Sequence, residues 1–214
     1  PPDLYADLYA AGGPDWLRLG AFDHYVLIPA GDAAALAAWF SLSFGQEQCH
    51  ALRSLDEPLP DAPLLPNVRI RRGTRTDRDA MVEEMSPILR LHLAGPPIWG
   101  PALPEYLWPM REGFAEMLAD DTVHVWLAET VEPEPSRKPG AEQARALGYQ
   151  AYYPASPADD NPMVPERAVL LEVAGTLPEA RGQGIGRALT RAGLADAAAG
   201  GYAVCIADWR TTNL

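Results

Sequence analysis

Cysteine and histidine are scarce in this sequence of 214 residues. Its two cysteines, Cys49 and Cys205, lie far apart, and its four histidines show no metal-ligand spacing. This pattern excludes a disulfide-stabilised scaffold and gives no reason to expect a metal site. We therefore expect no bound metal and a reducing, cytoplasmic setting, with Cys205 packed in an apolar core.

Long apolar runs and basic residues are also few. No apolar run approaches the length that crosses a bilayer, and no basic segment followed by an apolar one opens the chain, so neither a membrane span nor a secretory signal is expected. The 17 basic residues are outnumbered by 29 acidic ones, which gives a formal net charge of −12. The electrostatic field of a negatively charged protein repels nucleic acids and anionic membranes but suits a cationic substrate. We expect neither nucleic acid nor membrane as a partner.

Proline, in contrast, is abundant and divides the chain. Residues 54–67 contain four prolines and three acids, a composition that interrupts helices and strands. We predict a linker there, between a small N-terminal unit (1–53) and a larger domain (68–214).

Hydrophobic periodicity and capping residues predict the elements on both sides of this linker. In the N-terminal unit we predict a strand at 24–29, a helix capped by Asp32 that ends near Phe44, and a strand at 48–52. In the larger domain the predicted strands cover 68–71, 123–128, 148–154, 168–175 and 202–207. The predicted helices cover residues 76–90, with Thr76 as the cap, a proline-interrupted aromatic stretch at 99–119, and residues 184–199. The order predicts an α+β fold around one central sheet.

One segment, residues 170–189, indicates a binding function. A buried strand runs into a loop with three alternating glycines (Gly182, Gly184 and Gly186), and the loop opens directly into a helix. The first N–H groups of a helix have no partner within it, and the helix dipole is positive there. Glycines let an anion approach these amides, and Arg181 and Arg187 can add charged contacts. The segment predicts a pyrophosphate site built from main-chain amides.

Two common phosphate loops do not fit this segment. A Walker loop requires Gly-Lys-Ser/Thr after the glycines, where this sequence has Ile185-Gly186-Arg187. The dinucleotide pattern G-x-G-x-x-G also fails, because its last glycine would fall on Arg187 or Leu189. An ordinary glycine-rich turn between a strand and a helix remains an alternative.

The segment resembles the acyl-CoA motif of the N-acetyltransferase superfamily related to Gcn5. That motif is Arg/Gln-x-x-Gly-x-Gly/Ala between a strand and a helix, and Arg181, Gly184 and Gly186 fill its defined positions. The resemblance implies the acyl-CoA N-acyltransferase fold, a mixed central sheet flanked by helices, here with a partial N-terminal α/β unit. It implies acetyl-CoA as co-substrate.

The resemblance also implies which residues hold the co-substrate. In this family the strand before the loop separates from its neighbour, and its free main-chain groups pair with the pantetheine arm. One of these amides could polarise the thioester oxygen. The implied cofactor-binding residues are Ala174, Thr176, Leu177, Arg181, Gly182, Gln183, Gly184, Ile185, Gly186, Arg187 and Asn213.

The acceptor amine must lose a proton before it attacks the thioester. Glu172, on the strand before the loop, could act as this base directly or through a water; a solvent-facing or paired carboxylate is the alternative. Glu129, at the end of another strand, is a weaker candidate. The family's general acid is a tyrosine on a helix that would begin near Asn213, so the acid is unassigned here.

The N-terminal unit loosely resembles the family's closing helix and strand. It could be a degenerate half of a tandem acetyltransferase, a structural swap that completes the second sheet, or ordinary helix–strand packing.

The function that the resemblance implies is an acetyl-CoA-dependent N-acetyltransferase that transfers an acetyl group to an amine without an acyl-enzyme. The acceptor is a small-molecule or protein amine, and a homodimer is one assembly left open. A non-catalytic acyl-CoA sensor or scaffold and a nucleotide-binding module are the competing hypotheses.

Overall fold

The computed structural model describes residues 2–63, 66–82, 105, 107–131, 144–157 and 164–211. The chain forms two compact units, Pro1–Glu47 and Gln48–Leu214. The helices are α1 (Pro2–Arg18), α2 (Ala33–Ser41), α3 (Arg78–Ala80), α4 (Leu107–Ala119) and α5 (Ile185–Ala199), with 3₁₀ turns at Arg75–Asp77 and Pro178–Ala180. The strands are β1 (Gln48–Ser54), β2 (Val68–Arg72), β3 (His124–Thr130), β4 (Ala146–Ala155), β5 (Ala168–Thr176) and β6 (Val204–Arg210).

The first unit packs α1 against α2 through aromatic side chains. Tyr9 makes edge-to-face contacts with His24, Trp39 and Phe44, and its hydroxyl lies 2.7 Å from His24 Nδ1. The α2 cap was predicted correctly: the Asp32 carboxylate accepts from the Ala35 N–H at 2.9 Å. The strand predicted at 24–29 was wrong, because these residues form an irregular segment.

The second unit is built on one six-stranded sheet in the order β1-β6-β5-β4-β3-β2. All neighbouring strands are antiparallel except β5 and β6, which are parallel. Among the described residues, α5 packs on one face, where Leu189 and Leu194 are buried, and Phe114 of α4 packs on Tyr149 of β4. This arrangement confirms the predicted α+β fold with a mixed central sheet flanked by helices.

Strand β1 belongs to this sheet and forms its edge. Its whole length, from Gln48 opposite Arg210 to Ser54 opposite Val204, pairs with β6. The boundary between the compact units therefore falls after Glu47, whereas the predicted boundary falls after residue 53, and the two boundaries differ by this strand. A segment from the predicted N-terminal unit thus completes the sheet of the larger one. Whether that unit is a degenerate half acetyltransferase stays a prediction.

The helix predicted to follow Thr76 begins differently. Thr74 takes the cap position, and the Asp77 carboxylate accepts from its N–H at 2.7 Å and from its hydroxyl at 2.8 Å. A 3₁₀ turn and α3 follow, and the predicted continuation to Arg90 lies outside the described residues beyond 82.

Candidate functional site

Strands β5 and β6 separate part-way along their length. They pair only over residues 168–171 of β5. Beyond this point β5 stays paired with β4 as far as Thr176, while β6 stays paired with β1 as far as Arg210. A gap opens between the two strands, and in the described part of the chain no strand lies opposite this edge of β5.

A β-bulge marks the start of the gap. Val173 pairs with Ala151 and Leu171 pairs with Tyr152, so that Glu172 is an extra residue without an opposite partner in the ladder. Because a bulge bends its strand and increases the local twist, it turns the end of β5 away from β6. The position where parallel pairing ends is the position of this extra residue.

The main chain after the bulge faces the gap at alternate residues. The Leu177 N–H donates to the Leu147 carbonyl next to β4 at 2.9 Å. Since peptide groups of an antiparallel strand point alternately to either side, the main-chain groups of Ala174 and Thr176 point away from β4, into the gap. The Thr176 carbonyl accepts from Arg181 Nε at 3.4 Å on that side.

The loop that follows needs glycine at two positions. Gly182 has φ +74° and Gly184 has φ +80°, a left-handed conformation that other residues seldom adopt. Gly184 is the N-cap of α5, and its carbonyl accepts the first helical hydrogen bond, from Ala188 N at 3.0 Å. Ile185, fully buried, anchors the helix start in the core. The local conformation is therefore set by the glycines and by one apolar anchor.

The start of α5 presents main-chain donors with space beside them. The N–H groups of Ile185, Gly186 and Arg187 have no carbonyl within the helix to which they can donate, and they lie at the positive end of the helix dipole. A Cβ atom added to Gly182 or Gly186 would meet no atom within 4 Å. An anionic group can approach these amides from that side.

Three arginines surround this helix start. Arg181 and Arg187 are exposed, and so is Arg191, one turn further along α5. Arg187 Nη2 donates to the Asp61 carbonyl at 2.9 Å, and Arg191 Nη1 donates to the Pro60 carbonyl at 2.8 Å. Residues of the predicted linker thus lie against the loop. Sequence reasoning missed this contact, and the only available signal was the i, i+4 spacing of the two arginines.

Glu172 reaches solvent at the mouth of the gap. Partial burial raises the pKa of its carboxyl above the ordinary value, and the nearby charge of Asp208 on β6 raises it further. The pKa of Tyr153 is also raised, by burial and by the charge of Glu172. A carboxylate with a raised pKa and access to solvent is suited to accept a proton.

Glu129 has different surroundings. It is only 3% exposed and accepts from Arg69 Nε at 2.5 Å and from Arg71 Nη2 at 2.7 Å. Burial acts to raise the pKa of this carboxyl, but the hydrogen bonds from Arg71 and Arg69 outweigh it, so the pKa is lowered. Arg71 also holds Asp77 at 2.5 and 2.9 Å. This paired, buried carboxylate is poorly suited to act as a base.

The remaining sequence candidates lie in several places. The residues from Ala174 to Arg187 form one continuous path along the gap, the loop and the first turn of α5. Asn213 lies outside the described residues. Of the predicted aromatic stretch at 99–119, Trp99 and Tyr106 also lie outside them, whereas Trp108 is 67% exposed and Phe114 is buried. Cys205 is buried among apolar residues, which raises its thiol pKa to about 11.

Metal-binding clusters and membrane-spanning helices are both absent from the described ranges. There, no group of three or more His, Cys, Asp or Glu side chains is placed to hold a metal ion. Nor does any described helix combine the length and apolar character required to cross a membrane.

No protein-family model and no curated protein sequence matches this chain. Solved structures of acetyltransferases are similar to it. PaiA N-acetyltransferase from Thermoplasma acidophilum, in complex with coenzyme A, is 12% identical, with 63% of this chain and 74% of that chain covered and a TM-score of 0.46. A GCN5-related N-acetyltransferase from Ralstonia eutropha is 20% identical, with coverage of 68% and 85% and a TM-score of 0.46.

A third similar structure is a GNAT-family acetyltransferase from Brucella melitensis in complex with acetyl-CoA. It is 20% identical, with 65% of this chain and 74% of that chain covered and a TM-score of 0.41. The chain thus resembles Gcn5-related N-acetyltransferases in structure.

Proposed function

We propose that this chain is a member of the Gcn5-related N-acetyltransferase superfamily and transfers an acetyl group from acetyl-CoA to an amine. The observation that supports this most directly is the path from the bulge at Glu172, along a strand edge that faces a gap, to a loop with two left-handed glycines at the N-terminus of α5. An ordinary strand-to-helix turn needs neither the bulge nor the gap.

The loop suits the pyrophosphate of CoA. The amides of Ile185, Gly186 and Arg187 supply donors, the helix dipole favours negative charge, and the open space beside Gly182 and Gly186 admits the phosphates. Arg181 is placed to add a charged contact. In a chain whose net charge is −12, such a local concentration of donors is what an anionic ligand requires.

The gap suits the pantetheine arm. The main-chain groups of Ala174 and Thr176 point into it, so an extended amide-bearing chain could pair with β5 in the place that β6 leaves open. An amide on the same edge could donate to the thioester oxygen as negative charge develops there.

Glu172 is the base that we assign. In the proposed reaction the ammonium group of the acceptor gives one proton to Glu172, directly or through a water. The amine nitrogen then forms a bond to the thioester carbon and the carbon–sulfur bond breaks. The nitrogen loses a second proton as it becomes an amide, and the departing sulfur takes up that proton to give CoA thiol. The raised pKa of Glu172 improves its match to a proton acceptor near neutral pH.

The acceptor is proposed only by class. An acidic surface attracts cations, so a polyamine, an aminoglycoside-like base and a protein amine are all compatible with it.

Two measurements test this function. Isothermal titration with acetyl-CoA, CoA, ATP and NAD should show binding of the first two at micromolar concentrations or below, weakened by Arg181→Ala. Release of free thiol in the presence of the three amine types should then identify an acceptor. CoA binding without transfer to any amine would instead support the non-catalytic acyl-CoA sensor, and preference for ATP or NAD would contradict the proposal.

A further inference from the structure

The linker between β1 and β2 has a restricted route. These strands form opposite edges of the six-stranded sheet, so the chain that joins them crosses the sheet. The structure describes residues 55–63 and 66–67 of this connection. Its contacts show that it runs along the exposed side of α5 towards the helix N-terminus.

The linker is anchored where it begins. Leu55 is buried, and its N–H donates to the Ala203 carbonyl at 2.9 Å. Leu59 packs, partly buried, against the apolar cluster that contains Leu194. The next residues, 59–63, which we call the strap, therefore start from a fixed point beside the middle of α5.

The strap reaches the glycine loop itself. Its carbonyls accept from Arg191 at Pro60 and from Arg187 at Asp61. At its end, the Pro63 carbonyl oxygen lies 3.2 Å from the position that a Cβ atom on Gly184 would occupy. Because Pro60 and Pro63 have no N–H, the strap presents mainly acceptors to this surface, as a phosphate does.

We propose that the strap is an intramolecular competitor of the CoA pyrophosphate. This inference depends on the proposed function, because it concerns regulation of the same site. The Asp61 carbonyl occupies Arg187 Nη2, and the Pro63 carbonyl occupies the approach to Gly184. A phosphate at these positions competes with the strap, so tight binding requires the strap to leave the loop. Arg191 stabilises the strap in its position against α5 and thereby disfavours binding of the co-substrate.

The contacts suit a segment that can detach. Asp61 and Pro63 are exposed, and the arginine contacts are made at the surface. A cavity of about 380 Å³ is lined by Leu59 and Pro60 of this segment and by Gly186, Arg187, Thr190 and Arg191 of α5, among others. Few buried apolar contacts are lost when such a segment opens, so the opening free energy is low.

The decisive experiment measures the Kd of CoA for Arg191→Met at physiological ionic strength, where distant charges are screened. Loss of a phosphate ligand would weaken binding, whereas loss of a strap contact should tighten it, and we expect tightening of about threefold or more. Arg18→Met, an exposed arginine of α1, is the matched control and should leave Kd unchanged.

A second variant tests the strap without touching α5. Replacing Pro60 and Pro63 by glycine makes the opened strap more flexible, which favours the open state and should tighten CoA binding by about two- to tenfold. Pro29→Gly, in an exposed loop of the first unit, controls for the substitution. Thermal melting checks that each variant is folded.

The outcomes separate the two proposals. If the wild type and every strap variant fail to bind CoA, the proposed function is wrong, and the strap proposal with it. If all bind CoA equally, or if Arg191→Met binds it more weakly, the strap proposal is overturned while the proposed function stands. Binding that appears or tightens only in the strap variants supports both.

Discussion

The β2–β3 edge and the β5–β6 junction belong to one sheet, yet they hold their carboxylates in different ways. At the edge, Glu129 is buried and paired with Arg69 and Arg71. At the junction, Glu172 lies in a bulge, and the charge that raises its pKa is that of another carboxylate, Asp208. Arginines lower the pKa of Glu129, whereas burial and a like charge raise the pKa of Glu172.

This difference indicates a division of roles. Pairing of β2 with β3 along the whole of β2, together with fixed counter-ions, stabilises one region. In the other, the end of pairing between β5 and β6 leaves main-chain donors and one carboxylate available for a ligand.

The largest expected effect is on activity. Glu172→Gln should lower kcat/KM by about 10²-fold or more, as loss of a general base does, and leave the melting temperature unchanged or slightly higher. Glu129→Gln should behave in the opposite way, with a clear loss of stability and a retained rate per folded molecule. Initial-rate assays and thermal melting measure both variants; equal activity losses in the two would remove the contrast.

Next in size is the stability of the paired region. Arg71→Met leaves Asp77 and Glu129 without their shared partner and should cost about 2–4 kcal/mol in urea unfolding. Arg69→Met is the matched control, because the Arg69 side chain is 57% exposed and, among the described residues, forms an ion pair with Glu129 alone, so about 1 kcal/mol or less is expected.

The ion pairs of this region predict how the stability of the protein depends on pH, and in which direction. Hydrogen bonds from Arg71 outweigh burial and lower the pKa values of Asp77 and Glu129. Their contribution to stability is therefore complete above the ordinary carboxyl pKa of about 4 and is lost as pH falls through the lowered values. Arg71→Met should flatten this acid limb, and an unchanged limb would contradict the assignment.

A smaller effect is expected at the loop. Gly186→Leu fills the open space beside the α5 amides and should weaken CoA binding about tenfold, equivalent to about 1.4 kcal/mol. Stability should not fall, since leucine favours a helix interior more than glycine does. Gly113→Leu on α4, where a Cβ also meets no atom within 4 Å, is the control. Unimpaired CoA binding by Gly186→Leu would place the phosphates elsewhere.

Sequence patterns predicted the elements around this loop well, because the relevant signals are local. A buried strand, two obligatory left-handed glycines and an apolar helix face each depend on neighbouring residues. By contrast, α1 was missed, since Gly12-Gly13-Pro14 reads as a helix break although the helix continues to Arg18. Its stability comes from aromatic packing around Tyr9, which no local pattern shows.

The partnerships across the sheet were harder to predict. The pairing of β1 with β6 joins residues about 160 positions apart, and the strap contact joins the linker to α5. Both follow from the strand order, which sequence periodicity alone does not specify. The bulge at Glu172 is likewise visible only in the register between β4 and β5.

The smallest effect tests why Glu172 titrates as it does. Of the two causes that raise its pKa, burial is the larger and the charge of Asp208 the smaller. Asp208→Asn should therefore shift the rising limb of the pH dependence of kcat/KM to lower pH and leave the plateau unchanged. The amide oxygen introduced by this substitution could still accept from Gln48, so the strand contact is preserved.

Asp121→Asn, at an exposed turn, controls for the loss of one charge. A lower plateau with no shift would mean that Asp208 acts on the substrate or the fold instead, and the contrast between the two regions would then depend on burial alone.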